Sequence, residues 1–386
     1  MYHYIFLPEL VGVALVLILQ ATGVFCILRG PAAEAPRWIT RIIELAALGS
    51  FLLIAFTFLL RFHRVGKYAS AWWLGPFRGL VYTWALLSVL GVLAFAISRV
   101  LPRIRPDYSP ARRNFLRTAQ IALLGAPAAV VGYGVFVERS RVSVREATIS
   151  SPDLPEDLDG LRLVQLSDIH LSPYLSEQEL ARAVEMANET RAHVALVTGD
   201  LITLQHDPLD ACLAHLSKLR ADAGIFGCLG NHEIYTGTED YAEKEGARLG
   251  IRFLRCAATR LTFGNAHLNL AGVDYQRFRK PYLVHANKLF EPGAFNVLLS
   301  HNPDVFPVAA RQGYRLTIAG HTHGGQVRME ILGQDLSIAR FFTPYIDGLY
   351  RIGSSSVFVS RGIGTIGLPV RLGSPPEVAL LRLCRT

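Results

Sequence analysis

Six short polar motifs punctuate the C-terminal part of this chain, and each begins where an apolar run stops. They are Asp168-Ile169-His170, Gly199-Asp200, Gly230-Asn231-His232-Glu233, Ser300-His301, Gly320-His321-Thr322-His323 and Gly324-Gly325-Gln326. The runs ahead of them, 161–166, 194–197, 225–229, 297–299 and 316–319, are short and mostly branched. Runs of that kind predict buried strands of a mainly parallel sheet. Each motif then lies at the carboxyl end of a strand, the edge of an open α/β sheet where ligands bind. Residues far apart in sequence are thereby predicted to meet in one crevice.

The candidate donors at that edge are Asp168, His170, Asp200, Asn231, His301, His321 and His323. Hard oxygens and borderline imidazoles with no thiolate among them suit one or two divalent ions such as Mn, Fe, Zn or Co. Seven donors are too many for one catalytic ion that keeps a position open; they suit two ions sharing a bridging carboxylate. Two ions about 4 Å apart clamp the attacking and leaving oxygens of a phosphoryl displacement. Gly230 and Gly320, each directly ahead of a candidate ligand, are expected to permit a tight strand-to-loop bend without Cβ clash.

The blocks D-x-H, G-D, G-N-H-[DE], H and G-H-x-H occur in that order, and the set resembles the calcineurin-like metallophosphoesterase family. The resemblance covers about residues 145–386, and the Gly-Gly-Gln and PEVALLRL stretches look like its membrane-associated bacterial branch. It implies an α/β/β/α two-sheet sandwich. It places a first ion on Asp168, His170, Asp200 and His323 and a second on Asp200, Asn231, His301 and His321, with Asp200 as the bridge and Mn the favoured metal. A hydroxide bridging the ions would attack phosphorus, and His232, a non-ligand, would protonate the leaving alkoxide or stabilise charge on the transferring group. One stretch departs from the protein-phosphatase subgroup, which follows its G-D with a second Asp and an Arg. Here the chain reads Gly199-Asp200-Leu201-Ile202-Thr203, so the usual carboxylate partner of His232 is missing and a phosphoprotein substrate is disfavoured. His193, His206, His215, His267 and His285, outside the motifs, are expected to be structural.

The N-terminal third carries four apolar stretches, 5–28, 42–60, 80–98 and 119–137, each near the length of about 20 residues that crosses a hydrocarbon core. A cleaved leader has one such stretch. Residues 1–137 therefore read as a membrane domain of about four helices, 138–160 as a connecting segment with Pro152 and Pro155, and 161–386 as the catalytic domain. Glu9 and Glu44 fall within or beside the first two spans, and Trp72-Trp73 reads as an interfacial anchor. Arg99, Arg103, Arg105, Arg112, Arg113 and Arg117 make the third connection cytoplasmic, which places the catalytic domain on the extracytoplasmic side of a bacterial inner membrane. The Arg112-Arg113 pair also looks like a twin-arginine export signal.

A formal net charge of +8 suggests nucleic acid at first sight. Residues 1–150, however, hold 16 of the 39 basic and only 6 of the 31 acidic side chains, leaving 23 and 25 for the remainder. The basicity belongs to the membrane segment, and no nucleic-acid partner is implied. The five cysteines form no C-x-x-C pair, and an odd total leaves at least one unpaired.

These features point to a membrane-anchored phosphoesterase acting first on diesters, with lipid headgroups or envelope intermediates as reasonable substrates. Arg277, Arg279 and Lys280 are candidate phosphate contacts. A rival from family analogy is a UDP-2,3-diacylglucosamine pyrophosphatase-like hydrolase of lipid A synthesis, whose substrate lies on the cytoplasmic leaflet. A rival of another class is an inactive membrane sensor or scaffold, against which the complete ligand set argues. Stretches 177–189 and 208–219 show helical spacing, and 261–273 alternates as a strand or hairpin does.

Overall fold

The computed structural model of the chain describes residues 3–29, 36–59, 74–100, 110–276, 281–331 and 334–386. It divides into two compact units, Met1–Gly134 and Val135–Thr386.

Four helices, α1 (His3–Leu28), α2 (Arg37–Leu59), α3 (Leu74–Val100) and α4 (Pro110–Phe136), coincide with the four apolar stretches. Their apolar residues run round the whole helix, as in helices surrounded by lipid. Ile54, Val81 and Ala85 form a small buried cluster, while Leu15, Ile18, Leu52, Phe56, Leu80 and Ile121 stay exposed. The stretches Arg37–Thr57, Phe77–Ser98 and Ile121–Ser140 are long and apolar enough to cross a membrane, and Gly12–Leu28 is a shorter apolar helix. Trp72, Trp73, Arg103 and Arg105 lie outside the described residues, as do the side chains of Glu9, Arg99, Arg112, Arg113 and Arg117.

In the second unit the strands are β1 (Ser143–Ser151), β2 (Arg162–Leu166), β3 (Val194–Thr198), β4 (Ile225–Cys228), β5 (Ile251–Phe253), β6 (Ala257–Phe263), β7 (Ala266–Gly272), β8 (Phe295–Leu299), β9 (Leu316–Ala319), β10 (Arg328–Ile331), β11 (Gln334–Ser337), β12 (Gly348–Ile352), β13 (Ser355–Val359) and β14 (Glu377–Arg385). The helices are α5 (Glu177–Glu189), α6 (Leu209–Leu216), α7 (Asn231–Thr236), α8 (Glu239–Arg248) and α9 (Phe306–Arg311). One sheet runs β1-β14-β2-β3-β4-β5 and the other β12-β13-β9-β8-β7-β6, with β10 and β11 a separate hairpin. The central strands β2 to β5 and β7-β8-β9-β13 are parallel, as the sequence predicts. Antiparallel pairs β14–β2, β6–β7 and β12–β13 complete the sheets.

The period of two decides which layer each residue joins. In β3, Val194 and Leu196 enter the core between the sheets with Leu163, Val297, Leu299 and Ile318. Ala195 and Val197 turn the other way and meet Leu180, Val184, Leu213 and Leu216 of α5 and α6. On the outer face of the second sheet, Ala271 and Leu298 pack with Ala309 of α9. The result is a helix–sheet–sheet–helix sandwich. The stretch 138–160, expected as a connector, carries β1, which pairs in parallel with β14 along its full length. That strand belongs to the sheet.

Candidate active site

Every predicted ligand follows a strand directly. Asp168 and His170 follow β2, Asp200 follows β3, Asn231 and His232 open α7 after β4, His301 follows β8, and His321 and His323 follow β9. Because these strands share a direction within each sheet, their ends bring the residues together. Ligand-type atoms of Asp168, His170 and His323 lie within 4.8 Å of one another, as do those of Asp200, His301 and His321. Geometry also groups His232 with His170 and Asp200. Asn231 is 5% exposed and stands between Gly230, whose Cα abuts Asp200, and His232, whose N–H donates to Asp200 Oδ1 at 2.8 Å.

Tight turns are needed to aim so many side chains at one point. Asp168, His170, Asp200, His321 and His323 all adopt left-handed backbone conformations, with φ from 47° to 78°. Asp and His tolerate that region better than most residues, yet each such residue costs on the order of 1–3 kcal/mol. Reciprocal hydrogen bonds hold the turns: Asp168 N–H donates to Gly199 O, His170 N–H to Asp200 O, and His321 N–H to Asp168 Oδ1. Gly230 and Gly320 serve packing here, not backbone freedom. A Cβ on Gly230 would run into Asp200 Oδ1, and one on Gly320 into Asp168 Oδ2.

Burial sets the protonation states. His170 and His321 are pushed down to about 3, chiefly by burial and then by neighbouring histidines, and His323 falls well below its ordinary value for the same reasons. These rings are therefore neutral lone-pair donors. Burial also opposes charge on His301, but Asp200 and Asp168 outweigh it and raise its pKa to about 10. Asp168 is pushed up to about 6 by burial, partly offset by His301. For Asp200, burial is overcome by His301 and His232, which hold it well below the usual carboxylate range.

Such a pocket fits divalent cations. His170 Nε2 and His323 Nε2 face each other at 3.2 Å with both rings neutral, and Asn231 Oδ1 is buried without a hydrogen-bond partner among the described residues. His301 Nδ1 donates to Thr198 O at 2.7 Å and its Nε2 lies 3.1 Å from Asp200 Oδ2, so Nε2 is the nitrogen from which a cation would displace a proton. Unpaired buried acceptors are costly unless a cation meets them.

His232 is oriented without a carboxylate: its Nδ1 donates to Thr203 O at 2.8 Å. Asp207 in turn accepts from the N–H groups of Thr203 and Leu204 at 2.9 and 2.7 Å, fixing that carbonyl.

Other residues matter here that sequence reasoning gave no role. Glu233, fully buried, accepts from the N–H groups of Asp200, Leu201 and Gly230 and so ties two ligand turns together. Its place inside the third motif was the signal. Arg371, also fully buried, donates to His323 O at 2.9 Å and to the carbonyls of Arg361, Gly362, Gly364 and Ser374. Ser374 Oγ donates to His323 O and Ser374 N–H to Glu138 Oε1, both at 3.0 Å. Gln326 binds Ile366 and Leu368 by three hydrogen bonds, fastening the loop beyond His323. His193 and His215 lie elsewhere, bonded to Arg162 N–H and to Glu177. Arg277, Arg279 and Lys280 lie outside the described residues. Beside His321 opens a cleft of about 220 Å³ lined by Asn302, Asp304, Thr322, Phe342 and Thr343.

The sequence profile of the calcineurin-like phosphoesterase family matches residues 161–325. A metallophosphoesterase of Bacillus subtilis, YkuE, is 31% identical over 71% of this chain and 98% of its own length. A transmembrane protein with metallophosphoesterase domain of Danio rerio is 30% identical over 76% of this chain and 68% of its own. The phosphodiesterase YaeI of Escherichia coli is 28% identical over 58% and 82%.

Proposed function

This chain belongs to the calcineurin-like phosphoesterase family, hydrolases of phosphoester bonds, and from that premise we propose that it is a membrane-anchored binuclear phosphodiesterase. The observation that carries this reading is the two adjoining groups of buried ligand-type side chains, Asp168, His170 and His323 and then Asp200, His301 and His321, with Asn231 Oδ1 beside them and unpartnered among the described residues. Asp168, His170, Asp200 and His323 would hold one ion, and Asp200, Asn231, His301 and His321 the other. Two divalent ions there, with Mn first among Mn, Fe, Zn and Co, would supply the positive charge that stabilises attacking and leaving oxygens.

His232 performs the protein's own proton step. Its Nδ1–H is committed to Thr203 O, so Nε2 is the nitrogen that faces the reacting group. From the imidazolium form it hands a proton to the departing alkoxide. The name of the E. coli relative supports a diester, and that of the zebrafish relative supports a membrane location. Phe342, 59% exposed, lines the cleft next to His321 and favours a substrate with an apolar portion, as in a lipid phosphoester. The charge pattern of the membrane segment favours an extracytoplasmic catalytic unit. Alkaline phosphatase fused after Thr386 would be active in that orientation, whereas a fluorescent GFP fusion would reverse it and raise the cytoplasmic-leaflet pyrophosphatase reading.

The test is hydrolysis of bis-p-nitrophenyl phosphate and p-nitrophenyl phosphate by the full chain in detergent with Mn. Asp200→Asn should abolish activity and metal binding together. His232→Ala should lower kcat about 10²–10⁴-fold while metal content stays unchanged. A metal-loaded, folded chain that cleaves neither ester, nor any phospholipid, would leave the sensor reading standing.

A further inference from the structure

Tyr275 lies just past the end of β7, at the same sheet edge as the metal-site residues. It is 6% exposed, and its hydroxyl is buried with no hydrogen-bond partner among the described residues. Tyr314 shows what a structural tyrosine of this unit does: equally enclosed, it donates to Ala286 O at 2.8 Å. An idle buried hydroxyl is destabilising. It persists where an incoming group completes it.

The surroundings identify that group. The Tyr275 ring centroid is 5.4 Å from that of His321 and 6.1 Å from that of His301, two residues assigned above to the same ion. Its neighbours in sequence are pinned: Arg255 holds the Asp274 carboxylate at 3.0 Å, and Asn302 Nδ2 donates to Gln276 O at 2.7 Å. Asn302 directly follows His301, so the ring and that ligand share one rigid support. A phenol is neutral near pH 7 and carries one O–H donor. A fixed neutral donor beside a cation site suits an anionic oxygen.

Resting on the function proposed above, we propose that Tyr275 is a catalytic residue whose Oη donates a hydrogen bond to a non-bridging phosphoryl oxygen of the substrate on the His301–His321 side. Phosphoryl oxygens are common to monoesters and diesters, so this donor does not select the leaving group. Its bond strengthens as charge gathers on those oxygens in the transition state.

Tyr275→Phe in the full chain tests this. Deletion of one donor to developing negative charge should cut kcat on the order of 10²-fold, by the same factor for both p-nitrophenyl esters and with little change in KM. Inorganic phosphate should inhibit the variant more weakly. Thermal unfolding without metal supplies a second readout: loss of an unpartnered hydroxyl should leave Tm unchanged or raise it. An unchanged kcat in the variant, or a lowered Tm that reveals a structural bond, overturns the role of Tyr275 while the enzyme itself stands. A wild-type chain inactive on both esters sinks the function and this role with it.

Discussion

Glu233 shows how much one carboxylate can organise. Both of its oxygens accept from backbone N–H groups, those of Asp200, Leu201 and Gly230. Glu233→Gln would turn an amide NH₂ toward a backbone N–H and set donor against donor. We expect metal affinity to fall about 10–100-fold, the usual cost of losing a residue that orients ligands, measured as the Mn concentration giving half-maximal activity. His301 makes a prediction about pH. In the metal-free chain its pKa is about 10, above the ordinary 6.5. A group bound more tightly to its proton in the folded state contributes stability that is complete below pH 6.5 and fades as pH climbs toward 10. Metal-free protein should therefore melt at progressively lower temperature across that window. Saturating Mn should flatten the slope, because the ion replaces the proton. A metal-free melting curve independent of pH would contradict the charge assigned to His301.

The elements that aim the site were legible because strand periodicity is a local signal. Five apolar runs ended on ligand-type residues, and β2, β3, β4, β8 and β9 stand where those runs lie. The hairpin of β6 and β7 was visible in alternation, and α5 and α6 in helical spacing. Elements without a buried, alternating face were not. β1, with the sequence SVREATISS, keeps most of its residues partly or fully exposed and reads as a linker until β14 is placed beside it. Arg371 was hidden for a different reason: no local rule says that a lone arginine after Val370 will be buried and spent on four carbonyls of its own loop and that of the distant His323. The ligand glycines read as positions where a Cβ would clash, and the structure supplies what it would meet. Their requirement is contact with Asp200 and Asp168, so Gly230→Ala or Gly320→Ala should cost about 1–3 kcal/mol by overpacking and lower metal content in the purified protein. An alanine variant with wild-type Tm and full metal occupancy would show that the carboxylates can move aside.

At the scale of the whole chain, the end of the last apolar helix and the metal site are joined by a short series of bonds. Glu138 lies two residues beyond α4, is 7% exposed, and accepts from Ser374 N–H, while Ser374 Oγ reaches His323 O. Next to it, Arg139 Nη1 donates to Tyr174 O, fastening the same turn to the loop after β2. Glu138→Ala leaves the Ser374 N–H unsatisfied, a loss of about 1–3 kcal/mol. In the full chain this should raise the Mn concentration giving half-maximal activity while His232 and its Thr203 contact stay intact. Equal Mn dependence in variant and wild type would show the link to be passive. The juncture has a further consequence for limited proteolysis. Tryptic scission at Arg139 or Arg141 would sever Glu138 from Ser374, so the fragment beyond the cut is expected to carry a slacker metal cradle than the uncut chain.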